Sequence, residues 1–549
     1  MQTRPRVTYP TTTAVDFVIV GSGAAGGVIA KELSSHGHSV VVMEQGPRLD
    51  PSQFEHDEFK YHFRNGIANP APTAWRKTDK DEAKVGDGLL LYARLVGGSS
   101  VHFTANFWRL HEKDFMERSL LGGVPGADLQ DWPITYAELE PYYTKVDWEV
   151  GVSGTPGPFD PPRSRPYPLP PMPVKSSGVL FERGARKLGL HPQSSPMAIL
   201  SKPFNGRNAC QHCGYCMEYG CEFGAKSSSL ASMIPVAEAT GKCEIRPNSY
   251  VRKVELDARG RATGVTYFDA QKKEHHQRAK AVILCANGAE TPRLLFNSAS
   301  SRFPDGLANS SGMVGKNLMF NGGAAAMGVF EHPLNEYKSI QCTRLSHDFY
   351  DSDPKRGFYG GGGMDARFQQ YPIQFALGAL PADAPTWGSA YKKMLADSFS
   401  RSMTVAGHTT SLPVPTNNIT LDPKAKDDWG IPALRVTYKD HPDDLKISQF
   451  LLDRQMEILE AAGAQKKWVA YPAIEQQFTA HLLGTCRMGK DPKTSVVDID
   501  HRTHDVENLF ICDGSSMVTS GRGQPTMTIM ALAFRAGDRI AGLAKRGEI

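Results

Sequence analysis

The chain has 549 residues, of which 40% are hydrophobic and 22% charged, and its formal net charge is +4. This length exceeds one mononucleotide-binding fold, so a second domain is expected. Without a dense Lys/Arg block, the small net charge gives no reason to propose a nucleic-acid partner or a polybasic membrane anchor, and a small-molecule partner is expected.

The chain carries no obvious targeting or membrane signal. Membrane-spanning helices need about 20 consecutive apolar residues, and no stretch of the sequence approaches that length. Residues 1–14 are polar and lack the apolar segment of a secretory signal. We therefore expect cytoplasmic residence and no direct membrane span, with co-export to the periplasm alongside a signal-bearing partner subunit as the alternative.

The first predicted strand, residues 15–20, runs into a glycine-rich loop with the pattern G-x-G-x-x-G. The loop is Gly21, Ser22, Gly23, Ala24, Ala25 and Gly26, and Glu44 closes the next apolar run. The first glycine permits a tight turn, the second lets the backbone approach a pyrophosphate, and the third allows close packing of helix on sheet. Glu44 is placed to accept hydrogen bonds from an adenosine ribose. This strand-loop-helix-strand context predicts a dinucleotide site.

Two further segments precede residue 200. A glycine-rich element at residues 93–109 can bring backbone amides close to a flat or anionic ligand, or can be an ordinary surface turn. Residues 155–174 hold nine prolines. Such a composition disfavours regular structure and predicts an extended link between domains.

Four of the nine cysteines cluster within twelve residues, at Cys210, Cys213, Cys216 and Cys221. The C-x2-C-x2-C spacing is typical of loops that hold an iron-sulfur cluster. Four thiolates also suit a tetrahedral zinc ion, which is the second interpretation. The third interpretation is that the cysteines bind no metal and are either reduced or disulfide-linked. The other five cysteines are isolated and predicted to be small core residues.

Downstream of the cysteines, the pattern alternates between strands and turns. Short strands are predicted at 244–246, 251–256 and 262–268, and a buried strand from residue 281 leads through a glycine turn into a helix. Residues from about 330 to 475 carry no fingerprint and are assigned to a substrate-facing domain. The C-terminal segments 480–489, 508–515 and 520–532 follow.

In this order the motifs resemble the glucose-methanol-choline (GMC) oxidoreductases, flavoproteins that bind FAD and oxidise alcohols and sugars. The resemblance implies an α/β fold, α+β overall, in which a Rossmann-like FAD-binding domain is discontinuous in sequence. Its companion is a substrate domain built on an antiparallel sheet covered by helices. The implied parts are FAD-binding segments at 1–160, 206–325 (with the cysteine loop) and 479–549, a linker and substrate-domain segment at 161–205, and the substrate-binding domain at 326–478.

The resemblance also assigns the chemistry. His481 matches the family's catalytic histidine, the base that takes a hydroxyl proton while hydride leaves for flavin N5. Gln524 stands where the family usually has Asn or His, and could bind the substrate oxygen or merely cap the following helix. Pro525 is predicted to open a helix through residue 544, whose positive end stabilises charge on the reduced flavin.

The implied FAD contacts extend beyond the first loop. Asp513 and Gly514 match the segment that holds the ribityl and phosphate groups, Val251 matches the adenine side, and Asn106 is placed near the isoalloxazine ring. His102 lies where some members attach the flavin covalently, with noncovalent packing as the alternative. The remaining implied contacts are Arg94, Gly98, Ser99, Asn287 and Thr526.

The cysteine loop resembles the bacterial sugar and glycoside dehydrogenase branch, in which an iron-sulfur centre passes electrons to a cytochrome or quinone. A small companion subunit often accompanies that branch. We therefore expect an FAD-dependent dehydrogenase of a sugar, glycoside or polyol. The alternatives are an oxidase that releases hydrogen peroxide with structural cysteines, a flavin-bound lyase, and a noncatalytic electron-transfer or assembly subunit.

Overall fold

The computed structural model describes residues 6–64, 66–367 and 370–549. The helices are α1 (Ala24–Ser35), α2 (Glu117–Leu121), α3 (Tyr136–Val146), α4 (Ser176–Lys187), α5 (Met233–Ala239), α6 (Asn287–Asn297), α7 (Pro372–Gly378), α8 (Gly388–Phe399), α9 (Pro442–Ala462) and α10 (Thr526–Lys545). The strands are β1 (Val15–Val20), β2 (Val40–Met43), β3 (Thr73–Arg76), β4 (Lys84–Val85), β5 (Leu89–Leu90), β6 (Gln193–Ser194), β7 (Cys243–Arg246), β8 (Tyr250–Leu256), β9 (Ala262–Phe268), β10 (Glu274–Leu284), β11 (Ala325–Val329), β12 (Cys342–Ser346), β13 (Gly362–Arg367), β14 (Ser402–Thr409), β15 (Asn418–Lys426), β16 (Pro432–Thr437), β17 (Lys466–Tyr471), β18 (Phe478–Thr479) and β19 (Leu509–Ile511).

The first large sheet has seven strands in the order β7-β2-β1-β10-β9-β8, with β19 also paired to β10. The strand β1 lies between β2 and β10 and is parallel to both. Its near-continuous apolar run suits a strand covered on both faces, and α1 packs beside it against α5 and α10. Because β19 joins from near the C-terminus, the sheet is assembled from distant parts of the chain, and the predicted discontinuous α/β domain is confirmed.

The second large sheet has six strands in the order β17-β11-β14-β13-β12-β6, and its strand pairs are antiparallel. Successive side chains of a strand point to opposite faces. On β14, Met403 and Val405 pack with Phe181 of α4 and Leu451 of α9 in one apolar cluster. The predicted antiparallel sheet covered by helices is therefore confirmed, whereas the domain boundaries stay a prediction.

The remaining segments follow the sequence patterns. Residues 155–174 form neither helix nor strand, and β7, β8 and β9 match the short strands expected there. Two small sheets, β15-β16-β3-β4 and β18-β5, complete the fold. None of the helices in the described part of the chain is long and apolar enough to cross a membrane.

Candidate active site

A cavity of about 490 Å³ is lined by residues of both large sheets. Every residue predicted to contact FAD or substrate lines it except Gly26, which is in α1 behind the loop. These lining residues are Gly21, Gly23, Ala24, Ala25, Glu44, Arg94, Gly98, Ser99, His102, Asn106, Val251, Asn287, His481, Asp513, Gly514, Gln524, Pro525 and Thr526. The structure thus brings together residues that are hundreds of positions apart, while their individual roles stay predictions.

The three glycines of the first loop have different surroundings. Gly21 has φ +96°, and a Cβ there would lie 2.4 Å from the carbonyl oxygen of Cys285. A Cβ on Gly26 would lie 1.9 Å from the carbonyl oxygen of Gly21. At Gly23, by contrast, the nearest atom to an added Cβ is the Cα of Gly98 at 4.0 Å. The fold therefore requires the first and third glycines, and the second leaves space beside the cavity.

Glu44 holds this loop as well as lining the cavity. Its carboxylate accepts hydrogen bonds from the backbone N–H of Ser22 at 3.0 Å, the Ser22 hydroxyl at 2.7 Å and the backbone N–H of Gly46 at 3.2 Å. Burial raises the pKa of Glu44, and these donors oppose the rise. The carboxylate is therefore oriented by the protein before any ligand binds.

Several buried polar atoms of the cavity lining have no protein partner in the described part of the chain. They are both amide atoms of Asn106, Nε2 of His102 and Nε2 of Gln524. Buried polar groups are nearly always hydrogen-bonded, so unpaired ones facing a cavity indicate a polar ligand. A flavin ring offers donors and acceptors along one edge, and the residues present fit FAD.

The chain around Asp513 is fixed by its own hydrogen bonds. The Asp513 carboxylate accepts from the backbone N–H of Asn287 at 3.0 Å, the Thr291 hydroxyl at 2.6 Å and the backbone N–H of Ser515 at 2.8 Å. The side-chain oxygen of Asn287 accepts from two N–H groups at the start of α6. These contacts join β19 to α6, so the Asp513 carboxylate has a structural task in addition to its predicted cofactor role.

The helix α10 begins at Thr526, directly after Pro525, as the sequence predicts. Pro525, Thr526 and Ile529 line the cavity, so the N-terminal end of the helix borders it. A helix N-terminus carries a partial positive charge from its free N–H groups. The arrangement favours negative charge in this part of the cavity.

The predicted base, His481, is partly buried at the cavity wall. Its Nδ1 lies 3.0 Å from Oδ1 of Asn321. Burial, and secondarily the guanidinium of Arg367, lower the pKa of His481 to about 4. The imidazole is therefore neutral at pH 7 and can accept a proton.

Sequence reasoning missed three polar residues of this wall: Asn321, Arg367 and His408. Arg367 forms an ion pair with Asp365 on the same strand and lies 3.4 Å from Nε2 of His408. The His408 ring centroid is 5.5 Å from that of His481. The only available signal was the pair of glycines after Asn321, which is typical of close backbone approach.

The four clustered cysteines do not line the cavity, but their loop borders it through Met217 and Glu218. The backbone N–H of Glu218 donates to the His102 carbonyl at 2.7 Å. Buried Lys226 donates to the carbonyls of Phe103, at 3.0 Å, and Cys216. These contacts join the cysteine loop directly to the cavity wall.

All nine cysteines are free. Within the described residues, no group of three or more His, Cys, Asp or Glu side chains is placed to hold a metal ion. Burial is the main cause that raises the pKa of Cys210 to about 11 and of Cys216 to about 12, and the neighbouring thiols add to both shifts. The predicted iron-sulfur or zinc centre therefore finds no support in the geometry of the described loop.

The fold and site together define a dinucleotide-binding oxidoreductase with a histidine at its reaction cavity. Two family models, both described as GMC oxidoreductase, match residues 15–321 and 413–533. The chain therefore belongs to the GMC oxidoreductase family, whose cofactor is FAD.

Relatives and solved structures agree with this assignment. The chain is 36% identical over 545 residues to 2-methyl-1,2-propanediol dehydrogenase of Mycolicibacterium austroafricanum, covering 96% of this chain and 95% of the relative. It is 30% identical over 570 residues to the fructose dehydrogenase large subunit of Gluconobacter japonicus, covering 98% and 99%. A formate oxidase structure from Aspergillus oryzae RIB40 aligns with a TM-score of 0.66 at 16% identity, covering 97% and 99% of the two chains, which shows a shared fold.

Proposed function

We propose that this chain is an FAD-dependent dehydrogenase that oxidises a carbinol of a sugar, glycoside or related polyol. The observation that carries the proposal is that one cavity is lined by both the dinucleotide loop around Gly23 and a neutral histidine, His481. The names of two relatives, dehydrogenases of a small diol and of fructose, support the substrate class.

The side chains divide the work of alcohol oxidation. Oxidising a carbinol removes a proton from its hydroxyl and a hydride from its carbon, and FAD, when bound, supplies the hydride acceptor. His481 is unprotonated at neutral pH and takes the hydroxyl proton. Among the described residues, the buried Nε2 of Gln524 has no partner, and it lies at the same cavity, where it donates a hydrogen bond to the substrate oxygen.

We assign the final electron acceptor to an external carrier rather than to dioxygen. The support is the position of the cysteine loop, since Met217 and Glu218 line the cavity and Lys226 joins the carbonyls of Phe103 and Cys216. An oxidase that uses dioxygen has no need of a thiol-rich loop beside the flavin. The oxidase is the alternative function.

We also propose that an iron-sulfur cluster is held by the four clustered cysteines, Cys210, Cys213, Cys216 and Cys221. The thiols of this loop are close together, since neighbouring thiols add to the burial that raises the pKa of Cys210, Cys213 and Cys216. They do not converge on one metal ion, so the proposal requires the wider ligand spacing of a polynuclear cluster. Cluster binding would also release protons from these thiols.

Anaerobic flavin bleaching tests the main proposal. We expect a panel of sugars, glycosides and diols to include a compound that bleaches the flavin absorption, with reoxidation slow in air and fast with an artificial one-electron acceptor. Rapid reoxidation in air with release of hydrogen peroxide would establish the oxidase. Failure of every alcohol to bleach the flavin would overturn the enzyme assignment at this site.

Iron analysis and electron paramagnetic resonance test the cluster. We expect iron and a paramagnetic signal in anaerobically purified protein, and loss of both in Cys213→Ser with FAD retained. Cys243→Ser is the matched control, because Cys243 is a buried cysteine of β7 away from the loop. Wild-type protein with FAD but no iron would refute the cluster and leave the dehydrogenase proposal to the bleaching assay.

A further inference from the structure

The side chain of Asn321 connects the predicted base to the main chain around it. Asn321 is buried, and its Nδ2 lies 3.1 Å from the Thr409 carbonyl, 3.2 Å from the Ser520 carbonyl and 3.1 Å from the Gly521 carbonyl. Carbonyl oxygens only accept hydrogen bonds, so the NH₂ group must face them. The opposite end of the amide, Oδ1, is thereby fixed toward His481.

This fixed amide determines which nitrogen of His481 carries the proton. Oδ1 of Asn321 can only accept, and it lies 3.0 Å from Nδ1 of His481. A neutral imidazole has one N–H, so the proton resides on Nδ1 and the lone pair on Nε2. The nitrogen left without a proton is the one able to act as a base.

The backbone of His481 is held separately from its ring. The backbone N–H of His481 donates to the Thr479 hydroxyl at 3.0 Å, and that hydroxyl also lies 3.2 Å from the His481 carbonyl. Thr479 thus fixes the backbone, and Asn321 fixes the rotation and tautomer of the ring. The two restraints are independent, so the effect of Asn321 can be measured on its own.

We infer that Asn321 is a positioning residue that holds His481 in its Nδ1–H tautomer, with Nε2 available to take the substrate proton. This inference rests on the proposed role of His481 as the base. Through the Ser520 and Gly521 carbonyls, the same amide ties the base to the turn that precedes Gln524. Asn321 therefore links the ring of the base to the segment that leads to Gln524.

The charged and titratable groups that face His481 in the described structure are Arg367, with its partner Asp365, and His408. The cation of Arg367 opposes protonation of His481, and a new carboxylate in place of the Asn321 amide would favour it. A carboxylate at residue 321 should therefore move the protonation of His481 to higher pH.

Nitrogen-15 NMR of histidine-labelled protein tests the tautomer directly, without turnover. The His481 signals are identified by their loss in His481→Gln. We expect a protonated Nδ1 and an unprotonated Nε2 in the wild type. A protonated Nε2 would overturn the inference whatever the activity of the enzyme.

Stopped-flow flavin reduction across pH tests the consequence for the reaction. In Asn321→Asp, the fall of the rate constant on the acid side of the pH profile (the acid limb) should move to higher pH by about one unit or more. Asn321→Ala should lower the rate constant by about 10- to 100-fold through loss of base orientation. An unmoved limb in Asn321→Asp or a wild-type rate constant in Asn321→Ala would overturn the inference.

Asn508 provides a matched control. It is also a buried asparagine, its Nδ2 donates to the carbonyls of Ala262 at 2.7 Å and Lys280 at 2.6 Å, and its Oδ1 accepts from the Ala262 N–H at 2.8 Å. Asn508 is not among the residues that line the cavity. Asn508→Asp should lower thermal stability and leave the acid limb in place.

The measurements separate this inference from the proposed function. If both Asn321 variants fail to retain FAD, the wild-type tautomer decides the question alone. If His481→Gln reduces its flavin at the wild-type rate, the base role is wrong, and with it the inferred role of Asn321. If His481→Gln is slow but the Asn321 variants behave as wild type, only the inference fails.

Discussion

A substitution at Gly23 should affect FAD binding without affecting the stability of the fold. An added Cβ at Gly23 has no atom closer than 4.0 Å, and its φ of −64° is negative, so alanine is not forced into the left-handed region there. We therefore expect Gly23→Ala to change the free energy of unfolding of the FAD-free protein by no more than about 0.5 kcal/mol. The same methyl group should weaken FAD binding, because it occupies the space that the pyrophosphate needs.

The size of the effect follows from the helix N-terminus behind the loop. Gly23 is the N-cap of α1, and the first N–H groups of a helix have no partner within the helix. A hydrogen bond to a charged group contributes about 1.5–3 kcal/mol. Losing one such bond to the pyrophosphate should raise the Kd for FAD by about 10- to 150-fold.

The assay titrates FAD-free protein with FAD by fluorescence and records thermal unfolding with and without the cofactor. Gly26→Ala is the contrast, since its Cβ would lie 1.9 Å from the Gly21 carbonyl oxygen and should lower the Tm of the FAD-free protein itself. Wild-type FAD affinity in Gly23→Ala would refute the placement of the pyrophosphate against this residue. An FAD-free Tm as low as that of Gly26→Ala would refute the free space at Gly23.

Three more outcomes are expected. Because burial and Arg367 lower the pKa of His481 to about 4, the side chain stays in its basic form above that pH. The stopped-flow rate constant of flavin reduction should therefore be constant from about pH 8 to 5 and fall about tenfold per pH unit below pH 4. A fall that begins near pH 6.5 would contradict the argument from burial. His481→Gln should slow flavin reduction by about 10²- to 10⁴-fold with FAD absorbance retained, and a wild-type rate would exclude a base role. Arg522→Met leaves Asp114 and Glu117 buried without their cation, and it should lower the free energy of unfolding in urea by about 3–5 kcal/mol. A loss below about 1 kcal/mol would show that these ion pairs contribute no more than exposed ones.

The cofactor side of the cavity could be predicted from sequence because its signals are local. The loop from Gly21 to Gly26 follows its strand directly, and Pro525 marks the start of α10 within one residue. Backbone conformations that need glycine or favour proline leave such marks in the residues themselves. These local sequence patterns do not predict which groups surround each residue, such as the Asn287 N–H and the Thr291 hydroxyl that donate to Asp513.

The substrate side could not be predicted, because its residues meet only through strand pairing. His408 and Arg367 lie on β14 and β13, and the register between these strands sets Arg367 opposite Thr404. Alternation along a strand tells which residues share a face, but not which strand lies beside it. Residues from about 330 to 475 are therefore assigned to a domain without a motif, although two of them, Arg367 and His408, lie near the predicted base.

The contacts of Asn321 indicate when during folding the reactive site becomes complete. Its amide joins Thr409 in the antiparallel sheet, His481 after it and the turn at Ser520 and Gly521 near the C-terminus. Each contact spans at least 88 residues of chain, and long-range contacts form late because loop closure costs entropy. The dinucleotide loop, in contrast, also has a short-range restraint, because Ser22 donates to the Glu44 carboxylate only 22 residues further along the chain. The orientation of the base is thus a property of the assembled chain, and the antiparallel sheet contributes to the chemistry as well as to the shape of the cavity.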